Sequence, residues 1–145
     1  MTQPIYRQYQ RGEDGTDLIE NVVPFPTLVA SSSVTVNLGV ASRKSVFNQA
    51  FAAQFTAGTY GGTATVTIQK VTGGSTVTAL TAAQSITAAN LPVRINKAIP
   101  ALTTLTDSQK TINPGDVLEA VFTLSSTVSV QPGGGIIGAE TYLVV

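Results

Sequence analysis

The sequence predicts an all-β protein, an antiparallel sandwich or barrel, preceded by an extended polar arm. Three observations predict it. Apolar and polar residues alternate with period 2 through most of the chain after Thr27, the pattern of half-buried strands. Turn residues recur about every ten positions, which suits eight or so short strands. Strands do not alternate with long amphipathic helical segments, as a doubly wound or TIM-type fold requires, and no fixed-period repeat marks a solenoid or propeller. Threonine, 21 of 145 residues, fits a solvated sheet face: it is β-branched and wettable without charge.

The arm comes first. Residues 1–20 hold six of the sixteen charges, at Arg7, Arg11, Glu13, Asp14, Asp17 and Glu20. Val22-Val23-Pro24-Phe25-Pro26 ends it, because prolines at alternate positions block helix and favour an extended path. The sequence therefore divides into an arm over 1–26 and a sandwich body over 27–145.

Within the body, Val34, Val36, Leu38 and Val40 alternate with Thr35, Asn37 and Gly39. Ala64, Val66 and Ile68 alternate with Thr63, Thr65, Thr67 and Gln69, and Leu118, Ala120, Phe122 and Leu124 with Glu119, Val121 and Thr123. Residues 137–145 form the closing strand. Gly73-Gly74 reads as a tight hairpin needing positive φ. Asn113-Pro114-Gly115-Asp116 reads as a type II turn, with Pro presetting φ at its second position and Gly accepting φ > 0 at its third. Gly133-Gly134-Gly135 reads as a loop, flexible or closely approached.

Residues 44–57 space Phe47, Phe51 and Phe55 four apart, which fits a helix face. Their shared parity also fits a long strand, the preferred reading, with Gln49 as the misfit. Phe47, Phe51, Phe55 and Phe122 are the expected aromatic core. Residues 81–90 are Ala-rich and suit a short helix; residues 107–112 suit a helical turn or an irregular link.

Composition excludes much chemistry. Charged residues are 11% of the chain, eight of each sign, against about 25% in typical domains. There is no cysteine, so no disulfide, thiolate nucleophile or Cys-based metal site, and no histidine, the usual neutral-pH general base. Balanced charge with basic residues scattered singly at Lys70, Arg94, Lys97 and Lys110 argues against nucleic acid. The uncharged runs are too rich in Thr, Ser, Gly, Gln and Asn for a membrane-spanning helix, and nine aromatics, four Tyr and five Phe, do not make two girdles of a membrane barrel. The polar N-terminus has no apolar signal core, so the expectation is a soluble protein made in the cytosol and not exported by a signal-dependent route.

Candidate sites reduce to simpler readings. Asp116 and Glu119 have opposite parity on one strand, so they do not face each other as a glycosidase pair must, and Asp116 serves its turn. Gly12-Glu13-Asp14-Gly15-Thr16-Asp17 lacks the spacing of a calcium loop. Ser42-Arg43-Lys44-Ser45 lacks Ser-x-x-Lys spacing, and Gly133-Gly134-Gly135 lacks the Lys and Ser/Thr of a phosphate loop. The expectation is a non-enzyme without cofactor or metal. Tyr60 beside Gly61-Gly62 is one candidate sugar platform. Tyr6, Tyr9 and Phe25, with Arg7 and Arg11, lie on an arm with no local core to bury aromatics, and they are the candidate docking residues.

The closing third, Ile112-Asn113-Pro114-Gly115-Asp116-Val117-Leu118, a Thr/Ser/Val strand, a Gly-rich loop and the strand from Ile137, resembles the end of TNF/C1q-like jelly-roll trimers. There a Pro/Ala-Gly-Asp turn precedes an alternating strand. With its composition and arm, the chain also resembles the cement or decoration proteins of tailed-bacteriophage heads. That resemblance implies a jelly-roll body, a homotrimer, the major capsid protein as partner, and a place on the virion surface after assembly in the host cytoplasm. No nucleic acid or membrane partner is expected. The alternative is a carbohydrate- or receptor-binding sandwich of a phage fibre or tail.

Overall fold

A computed structural model of the chain describes residues 6–11, 17–55, 59–60, 63–86, 95, 97–125, 128–130 and 134–144; side chains are described from residue 22 on, excluding 59–60 and 128–130. The elements are β1 (Tyr6–Arg11), β2 (Asp17–Phe25), β3 (Ser33–Val40), β4 (Ser45–Gln54), β5 (Thr59–Tyr60), β6 (Ala64–Thr72), β7 (Thr76–Ala79), β8 (Gln84–Ser85), β9 (Lys97–Pro100), α1 (Asp107–Lys110), β10 (Thr111–Ile112), β11 (Val117–Leu124), β12 (Val128–Val130) and β13 (Gly135–Leu143). All strand pairings are antiparallel.

Two sheets form a β-sandwich. One, sheet A, runs β1-β2-β13-β4-β10, with β9 also on β4; the other, sheet B, runs β3-β11-β6-β7, with β8 also on β6. With β2, β3, β4, β6, β7, β9, β11 and β13 taken as strands one to eight, the sheets read 1-8-3-6 and 2-7-4-5. That is the order of a jelly roll, in which all successive strands except the β6–β7 hairpin cross between sheets and the last strand pairs beside the first. β5 and β12 pair separately at one end.

The alternation read from sequence places the core. Val36, Leu38, Ala64, Val66, Ile68, Leu118, Ala120, Phe122 and Leu124 from sheet B meet Phe25, Phe47, Ala50, Ala52, Ile99, Ile137 and Ala139 from sheet A. Gly73 and Gly74 have φ of 62° and 75° in the three-residue hairpin loop between Thr72 and Thr76, positive values that glycine adopts at no steric cost. Gly115 has φ 91° at the third position of the Asn113–Asp116 turn, where the Asp116 N–H donates to Asn113 O at 3.0 Å. The Asp116 carboxylate accepts from the Asn113 N–H at 2.8 Å, so this buried charge closes its own turn. Residues 107–110 form one helical turn with a capping box between Thr106 and Gln109.

Three expectations change. Residues 81–86 are not helical: Thr81 bridges Ala101, and β8 extends the edge of β6. Tertiary pairing overrides alanine's helix propensity there, while 87–90 lie outside the described residues. The aromatic core is also differently composed. A bulge inserts Asn48 into β4, with Phe47 opposite Thr141 but Gln49 opposite Glu140. Parity flips at that point, so Phe47 enters the cluster between the sheets while Phe51, still buried, turns to the other face; Phe55 is 52% exposed. The bulge is the physical reason for the Gln49 misfit.

The third change concerns Phe25. It is buried, with its ring 4.7 Å from that of Phe122 and tilted by 36°. Residues 17–25 are the first framework strand, laid along β13 from Gly135 to Tyr142. Among the described residues β1 pairs with β2 only as far as Val22, so no described strand needs an N–H from Pro24 on that side.

Candidate functional site

The predicted docking residues do not share one environment. Tyr6, Arg7, Tyr9 and Arg11 lie on the edge strand β1, opposite Val22, Asn21, Ile19 and Asp17 of β2; their side chains lie outside the described residues. Phe25 belongs to the core, and its candidacy for docking is withdrawn: its strand carries it under the sandwich, against Phe122 and Gly135. Pro114, Gly115 and Asp116 hold the turn assigned to them. Tyr60 lies in β5, its side chain outside the described residues.

The other sequence candidates are dispersed. Glu119 stands on the outer face of sheet B and accepts from the Gln69 amide at 2.9 Å, while Asp116 is buried in its turn. Ser42, Arg43 and Lys44 are exposed in the β3–β4 connection, and Ser45 is buried at the start of β4. Among the described residues no group of three acidic, His or Cys side chains is placed to hold a metal ion. No helix there is long and apolar enough to cross a membrane. A small cleft opens between the sheets at this end, lined by Arg43, Ser45, Ile112, Leu118, Thr141 and Leu143. It has room for a few water molecules at most and no carboxylate lining it, so it can hydrogen-bond a small polar group but presents no acid–base pair.

The two outer faces of the sandwich differ in chemistry. On sheet B the outward positions are Ser33, Thr35 and Asn37 on β3, Thr65, Thr67, Gln69 and Val71 on β6, and Glu119, Val121 and Thr123 on β11, all partly or fully exposed. This is the wettable, threonine-rich face the composition predicts. On sheet A the outward positions form apolar rows. One joins Pro24, Ile136 and Ala53; the next joins Val22, Gly138, Phe51 and Ala98. Phe51 stands opposite Gly138 and Ala98, small residues that leave room for its ring, and it belongs to no part of the core cluster.

A polar row bounds that apolar area. Glu140 stands beside Gln49, and its carboxylate accepts from the Asn48 amide that the bulge delivers. Gln49 Nε2 lies 3.5 Å from both Glu140 oxygens. Beyond this row Tyr142 and Val46 are paired, both half-buried. Sequence reasoning missed this face because its signal, the broken parity at Gln49, was legible only as a misfit.

No known family, curated protein or solved structure matches the chain.

Proposed function

We propose that the chain is a structural virion protein, a decoration or cement protein of tailed-phage heads. In this reading it acts as a homotrimer on the capsid surface, is assembled in the host cytoplasm, and has the major capsid protein as its partner. It carries no catalytic activity, and its work is to hold surfaces together. The observation that supports the reading is the contrast between the two outer faces. A face of half-buried Val22 and Ile136 beside buried Phe51 and Ala53 has the charge-depleted, apolar character of an interface centre, whereas the Thr-rich face of sheet B suits contact with water. The trimer forms through the sheet A face, and residues 1–16 reach the lattice.

Light scattering of the purified chain at low concentration is expected to give three times the chain mass. Mixed with phage heads stripped of decoration proteins, the full chain is expected to co-sediment with them. Deleting residues 1–16 removes β1 but leaves the β2–β13 ladder whole. That variant should keep a β-sheet far-ultraviolet spectrum, less the contribution of β1, and its trimer while losing at least tenfold in head binding. Undiminished binding by the deletion variant would sink the arm's role, and a monomer in light scattering would sink the trimer. Because only the mature lattice would bind the trimer, a decorated shell should also melt at a higher temperature than a bare one.

A further inference from the structure

We infer that the outer edge of β3 pairs with β3 of a second copy of this chain, antiparallel and centred on Thr35. Among the described residues β3 is hydrogen-bonded to β11 alone. The Leu124 N–H donates to Ser32 O at 2.9 Å. In an antiparallel ladder that bond sets the alternation: Val34 and Val36 turn their backbone groups to β11, and Ser33, Thr35 and Asn37 turn theirs outward. All three outward residues are exposed. The edge ends beyond them, because the Asn37 side-chain oxygen takes the Gly39 N–H at 2.8 Å and a bulge follows opposite Leu118 and Glu119.

The other edges carry the usual protections along their length, whereas the one on β3, its bulge, comes only beyond Asn37. The far edge of sheet B is broken into the short β7 and β8, and that of sheet A into the short β9 and β10. β1 carries Arg7 and Arg11. β3 has no charge and no proline, so nothing between Ser33 and Asn37 opposes pairing.

Its sequence also fits itself. Centred on Thr35, the antiparallel register sets Thr35 against Thr35 of the second copy and Ser33 against Asn37 of the second copy. Every outward N–H and C=O between these residues gains a partner, the pairs are uncharged, and Thr–Thr is a favourable cross-strand pair. Like faces stay on the same side, so two copies of sheet B become one continuous sheet. This pairing goes beyond the trimer reading, since it joins each copy to a copy of another unit, and a closed two-fold assembly of this kind doubles that unit.

The test is sedimentation of the full chain over a wide concentration range, beside Thr35→Lys and Thr35→Pro. Lysine keeps the backbone and opposes two ammonium groups at the centre of the pairing; proline removes the central outward N–H, which an edge strand tolerates. The wild type should rise with concentration to twice the mass of the unit both variants hold, with circular dichroism unchanged in Thr35→Lys. Should Thr35→Pro fail to fold, Thr35→Lys decides alone. A wild type that never exceeds the variants' mass, or variants that still double, overturns the pairing. So does a wild type that stays single while binding an unrelated extended peptide at this edge. The trimer is judged separately, by the mass of the variants' unit.

Discussion

Phe25→Ala is expected to destabilise the protein by about 3–5 kcal/mol, the range for removing a buried phenylalanine side chain from a packed site. For a chain of this length that corresponds to a fall in melting temperature of roughly 10 °C. The ring is 3% exposed and packs against Phe122 across the two sheets. Its other wall is Gly135, where an added Cβ would lie 2.6 Å from the ring tip and 2.1 Å from Ala53 O. The backbone of β13 is thus drawn in to touch the ring, and a rigid backbone wall cannot collapse into the cavity the substitution leaves. The cost should therefore fall in the upper part of that range. Thermal or urea unfolding checks it. An exposed docking residue would behave oppositely: the melting temperature would hold while binding fell.

Lys70→Met is the second large effect, an expected loss of about 1.5–3 kcal/mol, the value of hydrogen bonds to a charged group. Lys70 is 6% exposed on the inward side of β6. Its ammonium donates to the carbonyls of Thr111 at 2.7 Å, Gln109 at 3.0 Å and Ser108 at 3.4 Å. A helix end leaves its last carbonyls without intrahelical partners, and here the lysine supplies them. Methionine keeps most of the apolar stem, so the loss reports the hydrogen bonds rather than packing. Lys70→Arg should not fully rescue, because a planar fork cannot converge on three carbonyls as the rotating ammonium does. Urea unfolding of the two variants measures both, and hydrogen exchange should show 107–112 losing protection first. Equal stability of Lys70→Met and wild type would show that the carbonyls find water instead.

Both predictions concern residues whose roles were only half legible. Lys70 has the parity of Ala64, Val66 and Ile68, so alternation pointed it inward, but nothing local announces the helix end it serves. Phe25 follows two valines and sits between two prolines. Those signs describe an extended path correctly and say nothing of which surface the path crosses. The candidate face of sheet A was hidden for a related reason. One inserted residue, Asn48, exchanges the faces of everything after it in β4, and a bulge is set by the partner strand that opposes it, here Glu140 and Thr141 of β13.

What the sequence determined alone was local and periodic. Period-2 alternation assigned the strands and inner faces of β3, β6 and β11, and Gly and Pro placed the turns at Gly73-Gly74 and Asn113–Asp116, because side-chain direction and allowed φ are properties of a few consecutive residues. The missing His and Cys bounded the chemistry in the same local way. What only the tertiary structure decided was non-local: the pairing of β2 with β13, which turns part of a presumed arm into the first strand of the sandwich, the register that sends Phe51 outward, and the open edge of β3. Each depends on which distant segment lies alongside, and that choice is made by burying both sheets' apolar faces at once, a condition no short window of sequence contains.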